Sequence, residues 1–159
     1  MKKLLISTAL MILPFTSIAG ESKVIWNEVE SYTDFASHDE VSTGYYKKMK
    51  NKLELHVEKL AQRLPEGQSI TVEFENIDRA GDLGYGNDIR VAHLGSMKLV
   101  VSYRLVDAAG DVISEGNDIV LSGVEDISGS VIKMRQRNKS FAMEKKLLDK
   151  LFTQHVMAS

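Results

Sequence analysis

The sequence has no cysteine at all, and it shows neither internal repeats nor low-complexity tracts. Without cysteine the chain can form no disulfide bond, thiolate nucleophile or cysteine-ligated metal site. Lipid attachment to a cysteine after an N-terminal signal is excluded for the same reason. The 43% hydrophobic content is sufficient for a packed core. We therefore expect the fold to be held by buried apolar side chains.

An excess of positive charge is also missing. The chain has 20 basic and 22 acidic residues, and removal of Lys2 and Lys3 leaves 18 basic residues and a net charge of about −4. Proteins that bind nucleic acid through their general surface need a basic face that displaces counterions from phosphates. The composition therefore argues against nucleic acid as a partner.

Apart from the N-terminus, the chain lacks a long apolar run. Lys2 and Lys3 give the chain a positively charged start, and residues 4–18 form a mostly apolar run that closes with small residues. This order predicts a signal peptide over residues 1–19, cleaved after Ala19, and a single exported domain over residues 20–159. The run is shorter than the about 20 residues that cross a bilayer. A retained anchor helix is the alternative to a periplasmic protein that does not span the membrane after cleavage.

Two stretches have the apolar spacing of amphipathic helices. In the first, a capping-box pattern over Ser37–Glu40 precedes a stripe of apolar residues that ends near Leu64. Pro65-Glu66-Gly67 should stop this helix, because proline cannot donate the next backbone hydrogen bond. The second helix is predicted from about Ser140 to His155, with one broad apolar face.

Strands are predicted where apolar and polar residues alternate or where β-branched and aromatic residues gather. After Phe74 the alternation breaks, because Ile77 falls on the opposite parity, which indicates a bulge or the end of the strand. The short turn Asp107–Asp111 predicts a hairpin. The predicted strands are Lys23–Val29, Ile70–Phe74, Met97–Leu105 and Val112–Leu121.

The order strand, helix, strand, strand, strand, helix predicts an α+β fold. We expect a two-layer sandwich in which a mostly antiparallel four-stranded sheet carries two helices on one face. The pattern leaves open whether the first strand lies at the edge or at the centre. The other sheet face should be largely solvated, and it carries Glu73, Glu75, Lys98, Ser102 and Arg104.

Several stretches together resemble one family. They are Val24-Ile25-Trp26 with Tyr32-Thr33-Asp34, Leu64–Gln68 leading into Val72–Gly81, Ser102–Asp107 with Gly110, and Phe141, Glu144-Lys145, Leu147-Leu148 and Leu151-Phe152. As a set they resemble the bacterial exported proteins grouped as domain of unknown function 3016, over roughly Lys23 to Val156. The resemblance implies an exported single domain of uncharacterised activity, and it supplies no catalytic residues.

The glycine-rich loop after the second strand is one candidate site. An EF-hand does not fit, because Ala80 stands at the third ligand position and Ile89 at the twelfth. The order of its glycines does not match a dinucleotide-binding loop, and no lysine-threonine pair follows. A looser cation site stays open beside the interpretation that the glycines form a wide turn. The charged candidates are Asp78, Arg79, Asp82 and Asp88.

In the turn interpretation, Arg79 would pair with Asp78 or Asp82 at the surface. Such an exposed ion pair is worth at most about 1 kcal/mol.

A basic strip before the last helix is the second candidate, with cations at every second position. In an otherwise acidic protein it could contact lipid head groups or an acidic envelope protein, each cation being worth about 1 kcal/mol near anionic lipid. The alternative is a solvated connector. The strip consists of Lys133, Arg135, Arg137 and Lys139.

No catalytic pattern is present. The four histidines are scattered, no H-x-x-x-H or H-E-x-x-H spacing occurs, and no G-x-S-x-G elbow surrounds a serine. We therefore predict no catalytic residues, no metal and no cofactor. His56 and His155 should flank helices and not act as ligands. The remaining two are His38 and His93.

Three functions remain after these exclusions. The first is a soluble periplasmic binding or envelope-interaction protein without enzymatic activity. The second is a hydrolase of cell-envelope material that uses the carboxylates of the 78–88 loop. The third is an assembly role through an unpaired sheet edge. The sequence does not fix the oligomeric state.

Overall fold

The computed structural model describes residues 20–28, 32–33, 40–79, 82–83, 90–91, 96–124 and 141–158. Along the chain its strands are β1 (Glu21–Trp26), β2 (Ser69–Asp78), β3 (Asp82–Leu83), β4 (Arg90–Val91), β5 (Ser96–Val106) and β6 (Val112–Val124). Its helices are α1 (Glu40–Ala61) and α2 (Ala142–Leu151), and α2 continues into a π-helical turn, Phe152–Val156. Within these residues no helix is long and apolar enough to cross a membrane.

The main sheet has four strands in the order β1-β2-β5-β6. Strand β1 pairs with β2 in parallel, while β2 with β5 and β5 with β6 are antiparallel. A parallel pair needs a long crossover, and α1 provides it, whereas a short turn suffices between β5 and β6. The predicted α+β fold with a mostly antiparallel sheet is confirmed, and β1 lies at an edge.

The break in alternation after Phe74 is a β-bulge. Phe74 pairs with Val101 and Asn76 with Val100, so one extra residue of β2 is inserted between them. As a result, both Phe74 and Ile77 are fully buried although their parity differs. The bulge that the sequence predicted here is confirmed.

The predicted turns after α1 and β5 are also present. Helix α1 ends at Ala61, three residues before the expected end, because a tight turn follows in which the Leu64 amide donates to the Ala61 carbonyl (2.9 Å). Gly67 then takes a φ of 79°, which glycine adopts without strain. Between β5 and β6, the Asp107 side chain accepts hydrogen bonds from the amides of Ala109 and Asp111, each 2.9 Å long.

One hydrophobic core lies between the sheet and the two helices. Each helix contributes the apolar stripe that its sequence predicted, and the inward residues of β2 and β5 meet them. Burial of these side chains is the main stabilising contribution in a chain without cross-links. The core includes Tyr46, Met49, Leu53, Val57, Leu60 and Leu64 near α1, Ile70, Val72, Phe74, Leu99 and Val101 from the sheet, and Phe141, Leu147, Leu148, Leu151, Phe152 and Val156 at the C-terminus.

Candidate functional site

A groove of about 730 Å³ runs between the edge strand β1 and helix α1. Its size is in the range of small-ligand or peptide sites. Strand β1 and the residue before it contribute one wall, and α1 with the turn that follows it contributes the other. The lining residues are Gly20, Glu21, Ser22, Val24, Asn51, Glu54, Leu55, Glu58 and Gln62.

The helical wall of the groove follows from the spacing of its residues. Asn51, Leu55, Glu58 and Gln62 are three or four positions apart, so they share one face of the chain at α1. This face of α1 lies next to the apolar stripe that packs in the core, and it borders the groove opposite the edge strand β1. Leu55 is 53% exposed there, which gives the groove an accessible apolar patch.

The groove is acidic. Glu54 and Glu58 of α1 line it together with Glu21 at the start of β1. Among its described lining residues there is no lysine, arginine or histidine, although the Lys50 ammonium lies close by, over the Trp26 ring. With this distribution of charge the groove favours cationic groups over anionic ones.

Trp26 fixes one of these carboxylates. Its ring stacks on Phe74, the residue opposite it on β2, with the centroids 4.2 Å apart and the planes 5° from parallel. The indole Nε1–H donates a 2.8 Å hydrogen bond to Oε1 of Glu54, and the Lys50 ammonium lies 5.2 Å from the ring centroid. The Glu54 carboxylate is therefore held in place by Trp26.

The backbone of β1 presents hydrogen-bonding groups away from the sheet. Amides of Glu21 and Asn27 donate towards β2, to the carbonyls of Gln68 (3.2 Å) and Phe74 (3.3 Å). Backbone groups of a strand alternate in direction, so those of Ser22, Val24 and Trp26 face away from β2. In the described part of the chain no strand pairs with that side of β1.

Gly20 lies at the start of the β1 wall, where the backbone approaches α1 closely. Its φ is 22°, and a Cβ atom built on it would lie 1.8 Å from the carbonyl oxygen of Ala61. Only glycine fits such an approach without displacing the helix end. The first residue after the predicted cleavage position is thus packed against the C-terminus of α1.

The opposite sheet face is less solvated than the sequence predicted. Lys98 and Arg104 are exposed, as expected, but Glu73, Glu75 and Ser102 are partly buried. The side chain of Asn27, which follows β1, contacts both glutamates. Its Nδ2 donates hydrogen bonds to Oε1 of Glu73 (2.5 Å) and Oε2 of Glu75 (2.8 Å). The Ser102 hydroxyl donates a further hydrogen bond of 3.1 Å to Oε1 of Glu75.

Tyr32 belongs to the same region. Its side chain is fully buried, and its hydroxyl donates a short hydrogen bond to the Phe74 carbonyl. Burial, reinforced by the negative charges of Glu75 and Glu73, raises the pKa of Tyr32 to about 12. Tyr32 is therefore a neutral hydrogen-bond donor over the working pH range.

Arg79 is not at the surface, and that expectation is wrong. The bulge in β2 restores the inward direction at Ile77, and Arg79, two positions further on, follows it into the protein. Its Nε lies 2.5 Å from Oε1 of Glu144, and the two side chains are 5% and 1% exposed. The guanidinium also lies 5.6 Å from the centre of the Phe141 ring. Arg79 therefore attaches the end of β2 to α2.

The rest of the 78–88 loop is described only in part. Asp78 is the last residue of β2, and Asp82 lies in β3, which pairs with β4 in an antiparallel ribbon. Asp88 lies outside the described residues. Within the described residues, no three histidine or acidic side chains cluster as metal ligands do. A role for Asp78, Asp82 and Asp88 in cation binding or hydrolysis remains a prediction.

The basic strip Lys133, Arg135, Arg137 and Lys139 lies outside the described residues, and its role as a partner-binding surface stays a prediction. The signal peptide, His38 and His93 also lie outside.

The two histidines that the structure describes lie at the sides of helical segments, His56 in α1 and His155 in the π-helical turn after α2. His56 Nε2 lies 2.9 Å from Oδ1 of Asp149, linking α1 to α2, and the carbonyl of His155 accepts a 3.0 Å hydrogen bond from the Tyr103 hydroxyl.

Sequence reasoning missed the groove. Its signal was present in Glu54 and Glu58, which stand next to the apolar stripe of α1 and not opposite it, and in the single tryptophan of the chain. What could not be read was the position of β1, because the parallel pairing that brings it beside α1 depends on tertiary packing.

Comparison with known proteins places the chain in a wider group. The model of the family described as "Protein of unknown function (DUF3016)" matches residues 20–154. No curated protein matches the sequence.

Two solved structures show a distant likeness to this chain. One, a candidate lipoprotein from Caulobacter crescentus CB15, is 15% identical, with a TM-score of 0.30 over 82% of this chain and 86% of that one. The other, a minor lipoprotein from Acinetobacter baumannii, is 12% identical, with a TM-score of 0.33 over 86% of this chain and 88% of that one. At these TM-scores neither likeness supports a statement about function.

Proposed function

The chain belongs to the DUF3016 family of proteins of unknown function, and from its geometry we propose that it is a non-enzymatic binding protein of the bacterial cell envelope. Its binding site is the groove between β1 and α1. The signal-peptide pattern of residues 1–19 supports export to the periplasm as a soluble single domain.

The observation that carries this proposal is the charge of the groove at a free strand edge. A concave surface of about 730 Å³ is lined by Glu54, Glu58 and Glu21, with no cationic residue among its described lining, and the Glu54 carboxylate is held by the Trp26 indole. Carboxylates placed beside an apolar patch are complementary to a ligand that carries positive charge on an apolar stem. Binding of a cationic partner explains both features together.

The proposal is tested by photocrosslinking in living cells. A photoreactive benzoylphenylalanine replaces Leu55 in the groove in one strain and Val120 in another, in the full-length chain. Leu55 is 53% and Val120 62% exposed, so the two positions are matched in accessibility but lie in different regions. We expect adducts at position 55 and none at position 120.

A charge-matched pair of variants checks that the adducts depend on the groove. Glu21→Gln/Glu54→Gln/Glu58→Gln should abolish them, whereas Glu66→Gln/Asp111→Asn/Glu115→Gln, which removes the same charge at exposed positions elsewhere, should leave them intact. Adducts at neither position, or only at 120, would refute the groove as a binding site.

Export is tested separately on the same strains. Cell fractionation should recover the chain with the periplasmic proteins, and N-terminal sequencing should begin at Gly20. A chain that remains cytoplasmic, or that keeps residues 1–19 in the membrane, would contradict this part of the proposal.

A further inference from the structure

We propose that the partner enters the groove as an extended basic segment of another envelope protein, which pairs with β1 as an added strand. This inference rests on the proposed function, since it specifies what the groove binds. Three features of the described residues carry it: the free backbone groups of β1, the direction of the β1 side chains, and the placement of the carboxylates.

The backbone groups of Ser22, Val24 and Trp26 set the first requirement. They face away from β2, and an unpaired edge of this kind can accept main-chain hydrogen bonds from an extended peptide. Three such residues at alternate positions extend over about 13 Å, since each strand residue advances about 3.3 Å. A guest segment of about five to seven residues would cover them.

Side-chain direction sets the second requirement. Val24 and Trp26 pack against the core on the α1 side of the sheet, so every second residue of an added strand would also face α1. In that direction a guest residue meets Leu55 and the carboxylates of Glu54 and Glu58. The groove therefore selects side chains at alternate positions, with long apolar stems and cationic ends.

Lysine and arginine satisfy this requirement. Their methylene stems can cover Leu55 while the charged ends reach carboxylates at the rim. The Lys50 ammonium lies over the Trp26 ring beside the groove, and among the described lining residues no cation opposes a basic guest. An acidic or phosphorylated segment would bring its charges against the carboxylates of Glu54 and Glu58, so the partner is basic.

The experiment uses the exported chain purified from periplasm and a synthetic peptide of alternating lysine and threonine, seven residues long and blocked at both ends. Calorimetry measures its Kd. A peptide of the same composition with its four lysines contiguous serves as the charge control. We expect the contiguous peptide to bind at least about tenfold more weakly, because only two of its lysines can face one side of a strand, whereas all four of the alternating peptide can.

Backbone pairing is tested with two N-methylated forms of the alternating peptide. One carries N-methyl groups on the threonines and the other on the lysines, so each form blocks the amides on one side of the strand. One form should lose at least about tenfold in affinity and the other should bind like the parent peptide. Equal binding of both forms would mean adhesion by charge without strand pairing, and the inference would be overturned.

Protein variants complete the test. Glu21→Gln/Glu54→Gln/Glu58→Gln should weaken the alternating peptide at least about tenfold, while Glu66→Gln/Asp111→Asn/Glu115→Gln should not. Ser22→Pro removes an outward-facing amide without touching a hydrogen bond to β2 and should also weaken binding. If that variant fails to fold, as judged by its melting curve, the N-methylated peptides still decide the question.

Two outcomes separate this inference from the proposed function. If position 55 gives adducts in cells but the alternating peptide does not bind, the groove has another ligand and only the added strand is refuted. If sedimentation shows a dimer of the exported chain that the triple groove variant abolishes, the occupant is a second copy, and a separate basic partner is refuted.

Discussion

Within the described residues, an Arg–Glu ion pair and a His–Asp pair attach the C-terminal helix α2 to the rest of the protein, and they differ in burial. Near the start of α2, Glu144 pairs with Arg79 at the end of β2, and the two side chains are 1% and 5% exposed. Nearer its end, Asp149 Oδ1 lies 2.9 Å from Nε2 of His56 in α1, with exposures of 48% and 19%. This contact is a hydrogen bond that becomes an ion pair when the imidazole is protonated. The same helix thus has one contact in the interior and one at the surface.

The difference shows that burial, more than distance, decides what an ion pair contributes. A surface pair is worth about 0–1 kcal/mol, because water competes for both partners and salt screens them. A buried pair has lost its hydration, so either partner left alone is strongly destabilising, while the pair itself contributes little net stability. Losing one partner of the Arg79–Glu144 pair should therefore lower the free energy of unfolding strongly. Losing one partner of the His56–Asp149 pair should lower it only slightly.

The largest effect is expected from Glu144→Ala. This change leaves the Arg79 guanidinium buried without its carboxylate and should lower the free energy of unfolding by about 3–5 kcal/mol. Urea unfolding followed by circular dichroism measures it, with Asp149→Ala as the matched change on the exposed pair. If both variants lose the same free energy of unfolding, burial does not determine how much each pair contributes to stability.

Replacing both partners of the buried pair should recover most of that loss. Arg79→Met/Glu144→Leu substitutes apolar side chains of similar length, and we expect a free energy of unfolding within about 1 kcal/mol of the original chain, or above it. The double variant is compared with each single variant in one mutant cycle. A double variant as unstable as Glu144→Ala would mean that the pair itself stabilises the fold.

Half of this buried contact could be predicted from sequence. Since Ile77 falls on the opposite parity to Phe74, continuing the alternation beyond the bulge turns Asp78 outwards and Arg79 inwards. Its partner could not be predicted, because Glu144 is 65 positions further along the chain and stands in a helix where charged residues usually face water. Pairing Arg79 with its sequence neighbours gave the wrong environment for it.

The candidate groove shows the same limit on a larger scale. The apolar stripe of α1, the alternation in β5 and the turn at Asp107 were all local patterns, and each predicted its element. The groove depends instead on β1 lying parallel to β2 at the sheet edge, beside Glu54 and Glu58. No local pattern specifies which strand is a neighbour, so the position of the groove could not be deduced.

Tyr32 tests a case between the two pairs, namely a buried polar group without charge. Tyr32→Phe removes the hydrogen bond to the Phe74 carbonyl and should cost about 1 kcal/mol at neutral pH. The unfolded chain releases this proton near pH 10, whereas the folded chain keeps it until about pH 12. The contribution of Tyr32 to stability is therefore present below pH 10 and declines as the pH rises through that window.

Unfolding of both chains across pH 9–12 checks this dependence. The free energy of unfolding of the original chain should fall more steeply than that of Tyr32→Phe above pH 10. Parallel curves would show that the Tyr32 hydroxyl titrates normally and that its burial does not raise its pKa.

The smallest effect is expected at the exposed pair, and its dependence on salt distinguishes it from the buried pair. At about pH 5, where histidine side chains are generally protonated, Asp149→Ala should cost no more than about 1 kcal/mol in dilute buffer. At the same pH, 1 M NaCl should reduce that cost further, because the screening length falls to about 3 Å. The cost of Glu144→Ala should change much less, since ions do not enter the site between β2 and α2. Unfolding of all three chains at low and high salt measures both differences. Salt that reduced the two costs by equal fractions would show that the Arg79–Glu144 site is open to solvent, and the distinction between the pairs would be lost.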